Sequence, residues 1–273
     1  LPKNAAWNPS QPLKWHDLPP RILEQANLGS VAMKLGFFAP LGHAWAAVDN
    51  CLYLWDYTMP NPDLIGFEEN RHPIETIKLV TPKPGVFVSN ITHLIVVSTT
   101  TEMLLLGVAP TKTETGASTL ALYNTKMSIP TRGLGVKFIE GSKKTGRIFF
   151  AGSYTEDIYE FTYQQEERWF TSKTQSICHT ASGVPFINTG KMKAITQFLG
   201  PQQRPTSLVQ VAVDDTRNFL YTLSDRNEIK IYLIRDGLSL ALARPFSGLL
   251  QSTGHFNTRT ELLVGRDVQL VSI

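Results

Sequence analysis

The stretch Gly146-Arg147-Ile148-Phe149-Phe150-Ala151-Gly152, followed by Ser153-Tyr154-Thr155-Glu156-Asp157 and then Ile158-Tyr159-Glu160-Phe161-Thr162-Tyr163-Gln164, decides the fold. Ile148 to Ala151 is a short apolar run that suits a strand buried on both faces. Ile158 to Gln164 alternates, with Ile158, Glu160, Thr162 and Gln164 on one side and Tyr159, Phe161 and Tyr163 on the other. The polar connection Gly152 to Asp157 has the length of an ordinary hairpin loop. A lone hairpin is marginal in water, so this one must pair with further strands.

The same unit recurs along the chain. Ala44 to Val48 turns at Asp49-Asn50 into Cys51 to Tyr57, and Asp-Asn tolerates the positive φ of a tight hairpin turn. His93 to Val97 returns through Glu102 to Val108, and Phe219 to Leu223 returns through Glu228 to Leu233. A weaker fifth hairpin spans Leu262 to Ile273 and turns at Gly265-Arg266-Asp267. The first four start roughly 50, 55 and 70 residues apart, within or a little beyond the period of β-propeller blades. Further strands are expected ahead of three of them, at Ile74 to Val80, Gly133 to Glu140 and Leu208 to Val213. Four strands per unit is the content of a propeller blade. The expected fold is therefore all-β, a β-propeller, with a β-sandwich as the competing architecture. Residues 1–43 read as a proline-rich arm and a short helix near Pro19 to Leu28, where Asp17 suits a cap, Ile22, Leu23 and Ala26 share a face, and Gly29 ends the run.

Composition narrows the function. The 273 residues are 42% hydrophobic, enough for a sizeable core. Twenty-six Lys and Arg against 23 Asp and Glu leave a formal charge of +3, without the clustered basic run of a nucleic-acid footprint, so no direct nucleic-acid partner is expected. The two cysteines, Cys51 and Cys178, have no second Cys or His at metal-ligand spacing, which argues against zinc or a disulfide scaffold and for a reducing compartment. Residues 1–12 do not read as a signal peptide, and no apolar run reaches the ~18 residues of a membrane span.

Catalytic motifs are wanting. Gly141-Ser142-Lys143-Lys144-Thr145-Gly146 has the glycine spacing of a phosphate loop, but Arg147-Ile148 stands where Lys and Ser or Thr are required, and a strand follows instead of a helix. It reads as a polar turn. Gly133-Leu134-Gly135 lacks the third glycine of a dinucleotide site. The six histidines are scattered singly, and Cys178-His179, as neighbours on a strand, point to opposite faces. Asp49, Asp157, Asp214, Asp215 and Asp225 sit where turns are expected and shape them. No enzyme activity, metal or cofactor is expected. The alternative is a propeller enzyme or ligand-binding domain with a site at the central channel.

One segment, 178–205, departs from blade arithmetic. Met192, Ile195, Phe198 and Leu199 fall on one helical face opposite Thr196, Gln197, Asn188 and Thr189, with Lys191 and Lys193 as the charges among them. Bulky apolar residues opposite small and hydroxyl residues make the pattern of a lipid-packing sensor, which fills defects between acyl chains. The candidate membrane-contact residues are Val184, Phe186, Ile187, Met192, Ile195, Phe198 and Leu199. Each of the four helical anchors contributes ~1.5 to 3 kcal/mol if buried, and ordering the loop opposes this at ~1 to 2 kcal/mol per residue, so binding is expected to be weak and reversible. The competing reading packs this helix on a neighbouring blade.

Taken in order, several short motifs resemble the N-terminal β-propeller of the large inner-ring nucleoporins, the nucleoporin 155 / nucleoporin 170 class. They are Leu18-Pro19-Pro20 with Glu24-Gln25; Ala44-Trp45 with Asp49; Trp55-x-Tyr57; Val80-x-Pro82-Lys83-Pro84-Gly85 with Val86-Phe87; and His93 to Val97. Gly146 to Gly152, Tyr163-Gln164 with Trp169-Phe170, Ala212 to Asp214, Arg217-Asn218 and Leu220 to Thr222 follow. The resemblance covers most of Leu18 to Leu233 and implies a non-enzymatic scaffold of the nuclear pore complex inner ring. It implies a seven-bladed propeller, incomplete here, without the α-helical solenoid that follows it in the family. It implies a linker nucleoporin of the nucleoporin 53 class and other inner-ring nucleoporins as partners, and peripheral contact with the pore membrane of the nuclear envelope through the segment after Trp169-Phe170. The residues that bind the partner peptide are not identified by sequence.

Overall fold

The opening hairpin is built as its pattern dictates. In a computed structural model, Ile148–Gly152 and Tyr159–Tyr163 pair antiparallel, with Ile148 opposite Phe161 and Phe150 opposite Tyr159. Both faces of the first arm are buried, because Ile148 and Phe150 enter one core while Phe149 and Ala151 enter another. The structure describes residues 17–27, 33–59, 62–112, 118–165, 173–180, 206–235, 239–246, 260–263 and 269–272. These fall into two units, Leu1–Glu69 and Asn70–Ile273.

In the first unit, helix α1 (Pro20–Asn27) precedes a sheet of β1 (Met33–Phe38), β2 (His43–Val48), β3 (Cys51–Asp56) and β4 (Ile65–Phe67), paired in chain order. Val48 pairs with Cys51 across the expected two-residue turn, and Asp49 adopts φ 54°. Pro20 opens the helix, and the Ile22 and Leu23 amides donate to the Pro19 carbonyl. Ile22 is fully buried among Ala44, Ala46, Val48, Tyr53 and Trp55. The face expected to join Ile22 with Leu23 and Ala26 is narrower than read: Leu23, one position and about 100° further round, is exposed. Strand β1 falls inside 1–43, a region read as arm and helix only.

The second unit contains three more four-stranded sheets, again paired in chain order. They are β5 (Ile74–Val80), β6 (His93–Thr99), β7 (Glu102–Lys112) and β8 (Ser118–Pro130); β9 (Val136–Gly141), β10 (Ile148–Gly152), β11 (Tyr159–Tyr163) and β12 (Thr174–Cys178); and β13 (Leu208–Asp214), β14 (Phe219–Ser224), β15 (Ile229–Leu233) and β16 (Ala241–Phe246). A hairpin of β17 (Thr260–Leu263) and β18 (Gln269–Ser272) follows. The first strands are neighbours, β5 beside β9, β9 beside β13 and β13 beside β17. Up-and-down four-stranded sheets joined at their first strands are the blades of a β-propeller.

The layers between sheets are apolar. Leu94, Val96, Met103 and Leu105 of the second sheet meet Ile148, Phe150 and Phe161 of the third. Phe149 and Ile158 of the third meet Val211, Leu220 and Tyr232 of the fourth. The alternation noted on the second hairpin arm thus sends Tyr159, Phe161 and Tyr163 to one layer and Ile158 to the other.

Candidate functional site

Val184, Phe186, Ile187, Met192, Ile195, Phe198 and Leu199, with the whole of 181–205, lie outside the described residues. The point from which that segment departs is described. Cys178 ends β12 and packs on the apolar layer shared with the second sheet. His179 lies on the opposite side, its ring 6.2 Å from that of Phe149. The pair therefore splits across the strand as expected. Its backbone is pinned: the His179 amide donates to the Ile158 carbonyl at 2.9 Å, and the Ile158 amide donates to Thr180 Oγ1 at 2.8 Å.

The His179 ring joins a buried charged cluster. Arg147 donates through Nε and Nη2 to the two carboxylate oxygens of Glu160, at 2.9 and 2.6 Å, and through Nη1 to the Arg235 carbonyl at 2.7 Å. His179 Nε2 lies 2.7 Å from Glu160 Oε2, and the Leu240 amide donates to His179 Nδ1 at 3.3 Å. An amide donor at Nδ1 fixes the neutral tautomer with the proton on Nε2, directed at the carboxylate. Burial pushes the Glu160 carboxyl up, but the hydrogen bonds from Arg147 and His179 outweigh it and hold the pKa below its ordinary value. Glu160, which alternates on one side with Ile158, Thr162 and Gln164, is buried, because Arg147 and His179 supply the hydrogen bonds that a buried carboxylate requires. The cluster holds the third sheet against the chain around Arg235 and Leu240.

A second feature is an apolar groove on the second sheet. Its floor and walls are Val86, Phe87, Val88 and Ile91 from the β5–β6 connection and Tyr123 and Met127 from β8, with Lys173 at one side, enclosing about 430 Å³. Two turns shape the connection, since the Val86 amide donates to the Lys83 carbonyl and the Ile91 amide to the Val88 carbonyl. Phe87 rests on Tyr163, with ring centroids 6.0 Å apart. The opposite wall is a β-bulge: Leu105 pairs with Met127 but Leu106 with Asn124, so Thr125 and Lys126 are extra residues, and Lys126 takes φ 57°. Thr125 Oγ1 donates to the Leu105 carbonyl at 2.6 Å and accepts from the Met127 amide at 3.2 Å, which fixes the bulge. Val88 is 69% exposed and Tyr123 47%, so the groove opens to solvent between apolar side chains.

Sequence reading did not single out Val88 or Tyr123. The available signal was the apolar triplet Val86-Phe87-Val88 after Pro84-Gly85, too short to be a strand and placed where a turn is expected. Among the described residues no group of three or more His, Cys, Asp and Glu is arranged to hold a metal, and no helix is long and apolar enough to cross a membrane.

Comparison with known proteins places this architecture. The family model Nucleoporin_N, described as Nup133 N terminal like, matches residues 6–273. Nucleoporin NUP170 of Chaetomium thermophilum is 45% identical over 229 residues, which are 84% of this chain and 16% of the relative. A probable nucleoporin of Schizosaccharomyces pombe is 36% identical over 270 residues, 98% of this chain and 20% of its own length. The chain thus spans between a sixth and a fifth of the length of these relatives. Among solved structures, the Chaetomium thermophilum Nup170 NTD–Nup53 complex matches with a TM-score of 0.72 and 46% identity, covering 85% of this chain and 31% of that one. The fold is that of a nucleoporin β-propeller.

Proposed function

Because this chain belongs to the Nucleoporin_N family of nucleoporins, a structural and not an enzyme family, we propose that it is a scaffold module of the nuclear pore complex inner ring that holds a linker-nucleoporin peptide. The observation that carries the reading is the likeness to a Nup170 domain solved with Nup53, together with an exposed apolar groove suited to side chains of an extended peptide. In this reading Val88 and Tyr123 flank the peptide, Phe87 and Met127 form the floor, and Lys173 adds a polar contact at the rim. Residues 1–273 act as one propeller domain at the nuclear envelope, alongside other inner-ring nucleoporins.

Isothermal titration with a peptide from a Nup53-class protein tests this. The wild-type chain binds, and Val88→Glu with Tyr123→Glu abolishes binding while the melting temperature stays unchanged. Undiminished binding by that variant would move the partner elsewhere on the propeller.

Membrane contact through Val184, Phe186, Ile187, Met192, Ile195, Phe198 and Leu199 belongs to the same proposal. Its support is the amphipathic pattern, with Lys191 and Lys193 as its charges, and the pinned departure point at His179 and Thr180. Liposome flotation of the wild type beside Ile195→Asp with Phe198→Asp decides it: loss of flotation in the variant is expected, and equal flotation of the two proteins excludes lipid contact there.

A further inference from the structure

The cavity above Arg147, Glu160 and His179 has no part in the reading above. It encloses about 540 Å³, within the roughly 300 to 1,000 Å³ typical of small-molecule sites. Its lining differs in kind from the apolar groove. Lys83, Lys144 and Arg147 contribute three cations against the one carboxylate of Glu160. Arg147 and Glu160 neutralise one another as a bidentate ion pair, so the net charge of the lining is that of the two lysines. Lys144 Nζ donates to the neutral amide oxygen of Asn218 at 3.0 Å, and the Lys83 ammonium has no hydrogen bond or ion pair among the described residues. The hydroxyls of Thr145 and Ser239 add neutral hydrogen-bond donors, whereas the Thr162 hydroxyl gives its hydrogen to the Gln175 carbonyl at 3.0 Å.

The two lysines stand on segments that are bolted together. Tyr163 Oη accepts the Lys83 amide hydrogen at 2.6 Å and donates to the Gly146 carbonyl at 2.8 Å. Gly146 has φ 68°, and a Cβ there would lie 2.3 Å from the Lys83 Cα, so the turn carrying Lys144 and the loop carrying Lys83 meet backbone to backbone. The backbone of the rim is therefore fixed, and binding has only the side chains to order. Backbone recognition of an anion by the turn is excluded, because the Lys143 and Lys144 amides are spent on Asp215 at 2.8 and 3.4 Å. Recognition must come from side-chain ammonium groups and hydroxyls. A single exposed ammonium holds an anion weakly, so a ligand must present several anionic groups at once.

We propose that this cavity binds a small molecule carrying several phosphate groups, with Lys83 and Lys144 as the charged clamps and Thr145 and Ser239 as neutral donors. The shared chemistry is that of several phosphates carried on one small molecule, either free or as the head group of a lipid. The probes are inositol hexakisphosphate and vesicles containing phosphatidylinositol bisphosphate, each titrated into the full chain at low salt. Binding with one site per chain is expected, with affinity falling as salt rises. Lys83→Gln with Lys144→Gln weakens it at least about tenfold, whereas Lys126→Gln with Lys137→Gln, which removes the same net charge from exposed sites elsewhere, leaves it unchanged. Lys83 and Lys144 are exposed, so circular dichroism of the double variant matches the wild type. Response to the free probe assigns a soluble ligand, and response to the vesicles alone assigns a lipid head group; either one, lost with Lys83 and Lys144, supports the site. Absence of binding to both probes, equal weakening by the control pair, or full retention by the Lys83 and Lys144 variant overturns it.

Discussion

The Ser142 hydroxyl donates to the Asp215 carboxylate at 2.5 Å, and the amides of Lys143 and Lys144 donate to the same carboxylate. The turn with the glycine spacing of a phosphate loop thus does cradle an anion, but one supplied by the β13–β14 connection of the next sheet. Removing it with Asp215→Ala orphans these donors and is expected to cost about 1 to 2 kcal/mol, whereas Asp215→Asn, which keeps an acceptor oxygen, costs less. Urea denaturation of the two variants checks the order.

Arg147 and Glu160 form the buried ion pair of the third sheet, with side chains 8% and 9% exposed. Arg147→Met leaves a buried carboxylate with His179 as its remaining side-chain donor, and a loss of about 3 to 5 kcal/mol is expected. The double change Arg147→Met with Glu160→Leu recovers part of it, because no uncompensated charge remains although the His179 Nε2 proton and the Arg235 carbonyl lose their partners. A double-mutant cycle by chemical denaturation measures both.

The pH dependence follows from the same carboxylate. Its folded pKa lies below its ordinary value of 4.5, so its contribution to stability is fully present above pH 4.5 and is lost as pH falls through the lower folded value. Glu160→Gln should flatten the decline of the melting temperature below pH 4.5 and lower the plateau above it.

Two glycines with nearly the same backbone are predicted to behave differently. Gly146 and Gly42 have φ of 68° and 65°, but a Cβ at Gly42 meets nothing within 4 Å, while at Gly146 it meets the backbone of Lys83 and Pro82. Gly42→Ala should cost about 1 to 2 kcal/mol from conformation alone. Gly146→Ala adds a clash that no side-chain rotation relieves, and its larger loss is read from thermal melts of the two variants.

Phe150 and Tyr154 bracket the range of tolerance along the opening hairpin. Phe150 is 3% exposed and stacks on Tyr159, so Phe150→Ala is expected to cost about 3 to 5 kcal/mol. Tyr154, at 80% exposure on the hairpin loop, should change stability by no more than about 0.5 kcal/mol on replacement by Ser. Paired urea titrations distinguish the two.

Middle strands of the sheets were legible because they are buried on both sides and carry near-continuous apolar runs: Leu94 to Val97, Ile148 to Ala151 and Leu220 to Leu223 all lie inside. The fourth strands were not. Strand β12, Thr-Gln-Ser-Ile-Cys, has no fully buried residue, and β16 carries Pro245, which an edge strand tolerates and a central strand does not. An outer strand such as β12 buries too little apolar surface to leave a period in the sequence. The candidate groove escaped notice for a related reason: its walls come from a turn and a bulge, whose residues have no periodicity to betray them.

The sequence by itself determined the all-β architecture, the recurring hairpins and their turns, because those depend on local alternation and on residues such as Asp49 that accept positive φ. It also carried the family resemblance. Only the tertiary structure decided what became of its charged and polar positions. Glu160 alternates on the same side as Ile158, Thr162 and Gln164, and it is Arg147, thirteen residues earlier, and His179, nineteen later, that close on it. Asp215 looked like an ordinary turn former until it filled a turn more than seventy residues away. Pairing of charges across that distance in the chain depends on which sheets become neighbours, and no local pattern encodes it.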